Sequence, residues 1–221
     1  MDWDALAERQ EGRYADAVER LPNEPDGRQK QLVRAAVAAG AVGLARLMQG
    51  RRLEGAGWLT RSAERYRESW PDAPPESWGR VIGAVKARLL AGDEAGAAAD
   101  ARWALDQGPA QAESPIGRYA AALAFLALGD DERAAEQTSA LAAADDFPPA
   151  VAQALAALVA GDADAYAAAV KEVLASFETR DAYLEDVPVA DTVLVLEALA
   201  EARGIAARPS SDLLPPVEKV D

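Results

Sequence analysis

The chain contains no cysteine and no histidine. The first absence excludes disulfides, thiolate nucleophiles and cysteine-based metal sites. The second removes the commonest general base, the usual partner of a catalytic serine and the commonest zinc ligand. Lysine is scarce, with 4 residues against 19 arginines, and aromatic residues make up only 6%. Strand-favouring β-branched and aromatic residues are sparse throughout. The start, Met1-Asp2-Trp3-Asp4, has neither a basic nor an apolar leader segment. The apolar run Tyr119–Leu128 is far shorter than the ~20 residues a membrane span requires. A cytoplasmic protein with no membrane association is the expectation.

What the sequence has in abundance is alanine, at 54 of 221 positions. Alanine is the best helix former, and its small side chain lets helices approach closely. The formal net charge is −14. That charge disfavours nonspecific attraction to nucleic acid, so nucleic acid is not an expected partner. Acid-rich, lysine-poor composition of this kind resembles that of proteins from high-salt cytoplasms. The charge is nevertheless uneven. Residues 1–110 carry 16 basic and 17 acidic side chains, whereas residues 111–221 carry 7 and 20. Uniform salt adaptation does not predict that split, and an acidic face for a basic partner would produce it.

A short pattern recurs along the chain: Gly12-Arg13-Tyr14 with Ala17, Gly92-Asp93 with Ala97, Gly129-Asp130 with Ala134, and Gly161-Asp162 near Tyr166, with a weaker copy at Gly50 and Ala56. Glycine in the left-handed conformation closes a helix, and the aspartate after it caps the next one. Trp78, Val81, Ile82, Val85 and Leu89 follow the spacing of one buried helical stripe, as do Val193, Leu196, Leu199 and Ala200. Ser114-Pro115 is an N-cap followed by proline in the first turn. About ten helices are predicted, with breaks near Pro22–Asp26, Pro71–Pro75, Gly108–Pro115, Phe147–Pro149 and Asp186–Pro188. The expected fold is all-α, a right-handed α-solenoid of about five antiparallel helical hairpins resembling a degenerate tetratricopeptide array. Residues 1–204 form its single domain and residues 205–221 an irregular tail.

The last third carries a more particular pattern. Gly161-Asp162 is followed by Tyr166, an apolar helix to Leu174, Thr179 to Asp186, a second apolar helix through Val193–Leu199, Gly204-Ile205, and then Leu213-Leu214-Pro215. Over residues 155–216 this resembles the C-terminal part of the immunity protein 49 family, helical antitoxins of bacterial polymorphic toxin systems. The loop near Arg180–Asp186 departs from that family in lacking its histidine and much of its aromatic content. The resemblance implies a non-enzymatic protein that inhibits a cognate toxin by binding.

Candidate sites follow from these features. Arg51, Arg52, Arg61, Arg65 and Arg67 form the one basic concentration, read most simply as a salt-bridged outer face. Trp58, Tyr66, Trp70, Trp78 and Trp103 are expected to pack between adjacent hairpins. Tryptophan, tyrosine and arginine are also the residues enriched at interface hot spots. Arg61, Arg65, Tyr66 and Trp70 are therefore the expected lining of a partner-binding groove. Asp181, Glu185 and Asp186, close to Asp191, are expected to cap a helix or be solvated on a loop, or else to cluster there and bind a cation or contact a basic partner.

Chemistry-bearing motifs are weak. Asp162-Ala163-Asp164 begins like a calcium loop but lacks its glycine and its closing glutamate, and no phosphate-binding glycine motif occurs. No cofactor and no resident metal are expected. The leading expectation is a non-catalytic protein-binding module, with a basic toxin as one candidate partner. A peptide-binding scaffold or a carboxylate-based metalloenzyme using magnesium, calcium or manganese are the alternatives. The sequence leaves the oligomeric state open.

Overall fold

The computed structural model describes residues 1–216. Among these residues the chain is all-helical, with no strand and ten α-helices. They are α1 (Trp3–Glu19), α2 (Pro25–Met48), α3 (Arg52–Glu68), α4 (Trp78–Leu90), α5 (Glu94–Asp106), α6 (Pro115–Leu128), α7 (Asp131–Ala142), α8 (Pro149–Ala160), α9 (Ala163–Glu178) and α10 (Asp191–Glu201). From α1 to α9 each helix packs on the next, and α4 also meets α6.

The punctuation follows from the local sequence. Asp93, Asp130 and Asp162 accept hydrogen bonds from the backbone N–H groups of Gly96, Arg133 and Ala165 at 2.9, 3.2 and 3.0 Å, capping α5, α7 and α9. Ser114 caps α6 through Gly117. Gly129 and Gly161, with φ of 71° and 64°, end α6 and α8 in the left-handed region where a side chain would be strained. The pattern at Gly12 behaves differently. Gly12 lies inside α1, which runs uninterrupted from Trp3 to Glu19, so the first apparent repeat unit is not a helix junction. Nothing at Gly12 competes with the helix: no aspartate follows it, and the apolar spacing continues across it.

Small residues set the helix spacing in the N-terminal half. A Cβ on Gly43 would lie 2.6 Å from Leu59 Cγ and 3.1 Å from the Gly55 carbonyl, so α2 and α3 approach almost backbone to backbone there. α2 is also long and apolar enough to cross a membrane by length and composition, which the run at Tyr119–Leu128 is not. Half of its apolar window is buried within the fold.

The largest core joins α6 to α10 around Leu123, Leu155, Tyr166 and Leu196, all fully buried. A second surrounds Trp78, Val81 and Val85 on α4 and extends to α5 and α6. The third is non-local. Leu6 and Ala7 of α1 and Ala41, Val42 and Ala45 of α2 pack against Val187 and Val189. The chain therefore curls until the segment between α9 and α10, residues 179–190, lies across its N-terminal helices. We call this segment the strap. α10 follows it and packs on α4, α8 and α9.

From residue 205 to residue 216 the backbone is irregular, yet this segment is tied down. Leu214 is buried in the largest core, the Ala190 N–H donates to the Leu213 carbonyl at 2.9 Å, and Glu197 accepts from Ala207 and Arg208 N–H. Residues 217–221 of the predicted tail lie outside the described residues.

Candidate binding cavity beneath the strap

A cavity of about 320 Å³ lies where α2, α3 and α4 meet the strap. Its apolar wall includes Val37, Leu44, Leu59, Ile82 and Phe177, and small residues at Ala36, Gly40 and Gly83 make room for it. Gly83 is the tightest of these positions, because a Cβ there would sit 2.5 Å from the Tyr66 ring. The absence of a side chain on α4 is what lets Tyr66 of α3 lie flat against it.

The polar groups of the cavity are few and come from distant parts of the chain. Lys86 of α4 donates to Asp191 Oδ2, in the first turn of α10, at 2.6 Å. The lysine side chain is 16% exposed and the aspartate 33%. Burial pulls the Lys86 ammonium toward lower pKa, but the adjacent Asp191 carboxylate outweighs it and holds the group above its ordinary value. Burial pushes the Tyr66 phenol up to about 12, against a smaller opposing effect of Lys86. Tyr119 of α6 is raised by the same cause, again against an opposing effect of Lys86. Tyr183 of the strap donates to the Phe177 carbonyl at 2.7 Å, and Ser62 donates to the Ala36 carbonyl at 2.8 Å.

These tyrosines make a pH prediction. A phenol whose folded pKa is raised keeps its proton in the native state after the unfolded chain has lost it. That stability is fully present below the ordinary tyrosine pKa and is lost as pH rises through the folded value. Tyr66, Tyr119 and the fully buried Tyr166, raised by burial and by its hydrogen bond to Glu197, all act in this direction. Stability should fall from about pH 10 upward, toward 12 for Tyr66. Phenolate absorbance should show Tyr66, Tyr119 and Tyr166 ionising late, together with loss of helical circular dichroism. Ionisation of these three near the ordinary tyrosine value, with helicity intact, would contradict this burial.

The strap is pinned by side chains from the opposite end of the chain. Glu185 forms an ion pair with Arg13 of α1, and its carbonyl accepts from Gln10 Nε2 at 3.4 Å. Glu185 and Asp186 have φ of 55° and 57°, the left-handed region that non-glycine residues seldom occupy. Leu184 of the strap is 77% exposed and also borders the cavity.

The seven sequence-predicted site residues do not form one surface. Tyr66 and Glu185 both line the cavity, although 119 positions separate them in the chain. Arg61 is exposed with its guanidinium 4.6 Å from the Trp58 ring. Arg65 pairs with Glu68 and donates to the Tyr14 hydroxyl at 3.4 Å. Trp70 packs with Trp78 and Trp103, at ring distances of 5.9 and 6.0 Å, in the seam between α3, α4 and α5. Asp181 and Asp186 are exposed on the strap. Of the carboxylates in and beside the strap, Glu185 turns to Arg13 and Asp191 to Lys86. Among the described residues no group of three or more Asp or Glu is placed to hold a metal ion.

Sequence reasoning missed Lys86. The signal was present, because Lys86 falls one turn after Ile82 and three residues before Leu89, on the apolar stripe of α4. A lysine among buried positions, in a chain with only four, marks a cation that requires a partner. The chain matches no family model, no characterised protein and no solved structure in comparisons with each.

Proposed function

We propose that this chain is a non-catalytic, cytoplasmic protein-binding protein that neutralises a cognate basic toxin by occluding it, with the outer surface of the strap as the principal contact. The observation that carries this reading is the exposed Leu184, which directly precedes the left-handed Glu185 and Asp186, with Glu185 paired to Arg13 and Asp181 and Asp186 exposed on the same strap. Strained non-glycine backbone persists where the surroundings over-determine it, and such positions cluster at functional sites. An apolar anchor with exposed carboxylates nearby in the chain, ordered before binding, loses little entropy on association and suits a basic partner. The resemblance of residues 155–216 to immunity proteins supports the same reading, as does the acidic excess of the second half.

On this reading the ten helices form about five tetratricopeptide-like hairpins of a right-handed α-solenoid. The successive packing of neighbours and the contact of α4 with α6 support that arrangement. A peptide-binding adaptor needs a free apolar groove along its helices. Here Val187 and Val189 of the same chain are buried against α1 and α2.

The test is capture from the native lysate at the organism's own internal salt, using the wild type beside the triple variant Asp181→Lys, Leu184→Glu, Asp186→Lys. One stoichiometric partner is expected, basic, toxic when expressed alone and harmless when co-expressed with the wild type. The triple variant should lose it, since truncating hot-spot contacts costs about 2 kcal/mol or more, roughly 30-fold in affinity. Several substoichiometric partners, or one retained undiminished by the variant, would sink the proposal.

A further inference from the structure

The cavity beneath the strap has more hydrogen-bonding capacity than the fold uses. An ion pair that merely fastened α4 to α10 would need no open volume beside it. Yet about 320 Å³ adjoins Lys86 and Asp191, at the small end of the ~300–1,000 Å³ span of small-molecule sites. The Lys86 ammonium has three N–H donors, and Asp191 takes one. The Tyr66 hydroxyl lines the same space beside Lys86 and has no hydrogen-bond partner among the described residues. The site therefore presents hydrogen-bond donors to whatever enters it.

The charge balance gives the sign of the group that suits them. Lys86 and Arg180 face the cavity with Asp191 and Glu185, and Arg13 pairs with Glu185 from outside, so three cations stand against two carboxylates. One positive charge remains in excess. Arg180 supplies it at the rim, its guanidinium 3.7 Å from the Phe177 ring centroid. The remaining wall is mostly hydrocarbon, so the rest of the ligand must be apolar and small. Arg180 and Ala182 are exposed, which leaves the cavity an entrance from solvent.

We infer that the cavity is a binding site for a compact apolar monocarboxylate, a small aromatic or branched aliphatic acid. Its carboxylate is received by Lys86 and Tyr66, and its hydrocarbon body lies against Leu59, Ile82 and Phe177. The inference does not rest on the protein-binding reading, although Leu184, the contact proposed there, also borders this cavity.

Titration calorimetry on the full chain tests it with phenylacetate and 4-methylpentanoate as probes. Phenylacetamide controls for shape without charge, and acetate for charge without a body. At least one acid should bind at one site per chain, more tightly than about 1 mM and about tenfold better than either control. Tyr66→Phe should weaken it severalfold without changing the circular dichroism. Val37→Phe, which fills the cavity from a half-buried position, should abolish it. If Val37→Phe does not fold, Ala182→Trp at the exposed rim provides the same block. Absence of saturable binding by both acids overturns the inference, as does equal binding of acetate or binding unaffected by the blocking variants.

Discussion

Replacing Lys86 by methionine is expected to destabilise the protein by about 2–3 kcal/mol, and adding Asp191→Asn to that variant should recover most of the loss. The single change keeps the length and apolar stem of the side chain but strands the Asp191 carboxylate against a largely buried surface. Breaking a buried pair from one side costs about 3–5 kcal/mol when the remaining ion is fully enclosed. Asp191 is 33% exposed, so water offsets part of that cost and the lower figure applies. The double variant carries no buried charge, and replacing both members of such a pair by neutral groups is close to neutral. Denaturant unfolding of the wild type and both variants measures the three values. Equal instability of single and double variants would mean that the salt link itself holds α10 on α4.

Asp100→Ala should cost about 3 kcal/mol, which for a chain of this size lowers Tm by about 6–12 °C. Asp100 is 1% exposed and accepts from Arg67 of α3 at 2.7 Å and from Arg88 of α4 at 3.1 Å. One carboxylate on α5 thus joins three helices. Arg88 is 14% exposed, and without Asp100 it keeps only Asp93, at 2.9 Å. Arg67 is 41% exposed and also lies over the Trp103 ring, so Arg67→Ala should cost only about 1 kcal/mol. A thermal melt that moves equally for the two variants would remove Asp100 from its central place.

The local features of this fold were legible because their causes are local. Asp130 and Asp162 cap helices through their own neighbours three residues on, and the stripe from Trp78 to Leu89 is a matter of helical period. Gly12 misled because glycine alone does not end a helix. The same residue with aspartate after it, at 92, 129 and 161, does mark a junction. The cavity was not legible. It depends on Arg13 meeting Glu185 and Lys86 meeting Asp191, pairs separated by 172 and 105 positions, and no periodicity encodes such distances. Tyr66 and Glu185 were singled out for separate reasons, interface composition and loop charge. Only the curling of the strap onto α1 and α2 brings them together.

Both functional readings require the strap to be ordered on the N-terminal helices before any partner or ligand arrives. Hydrogen exchange of the free full-length chain, resolved across residues 179–190, measures this most directly. The account predicts that Val187, Val189 and Ala190 exchange at least about 100-fold more slowly than an unstructured peptide, with Arg13→Glu accelerating them. Exchange of these amides at the unstructured rate would contradict it, leaving neither a roofed cavity nor a fixed contact loop.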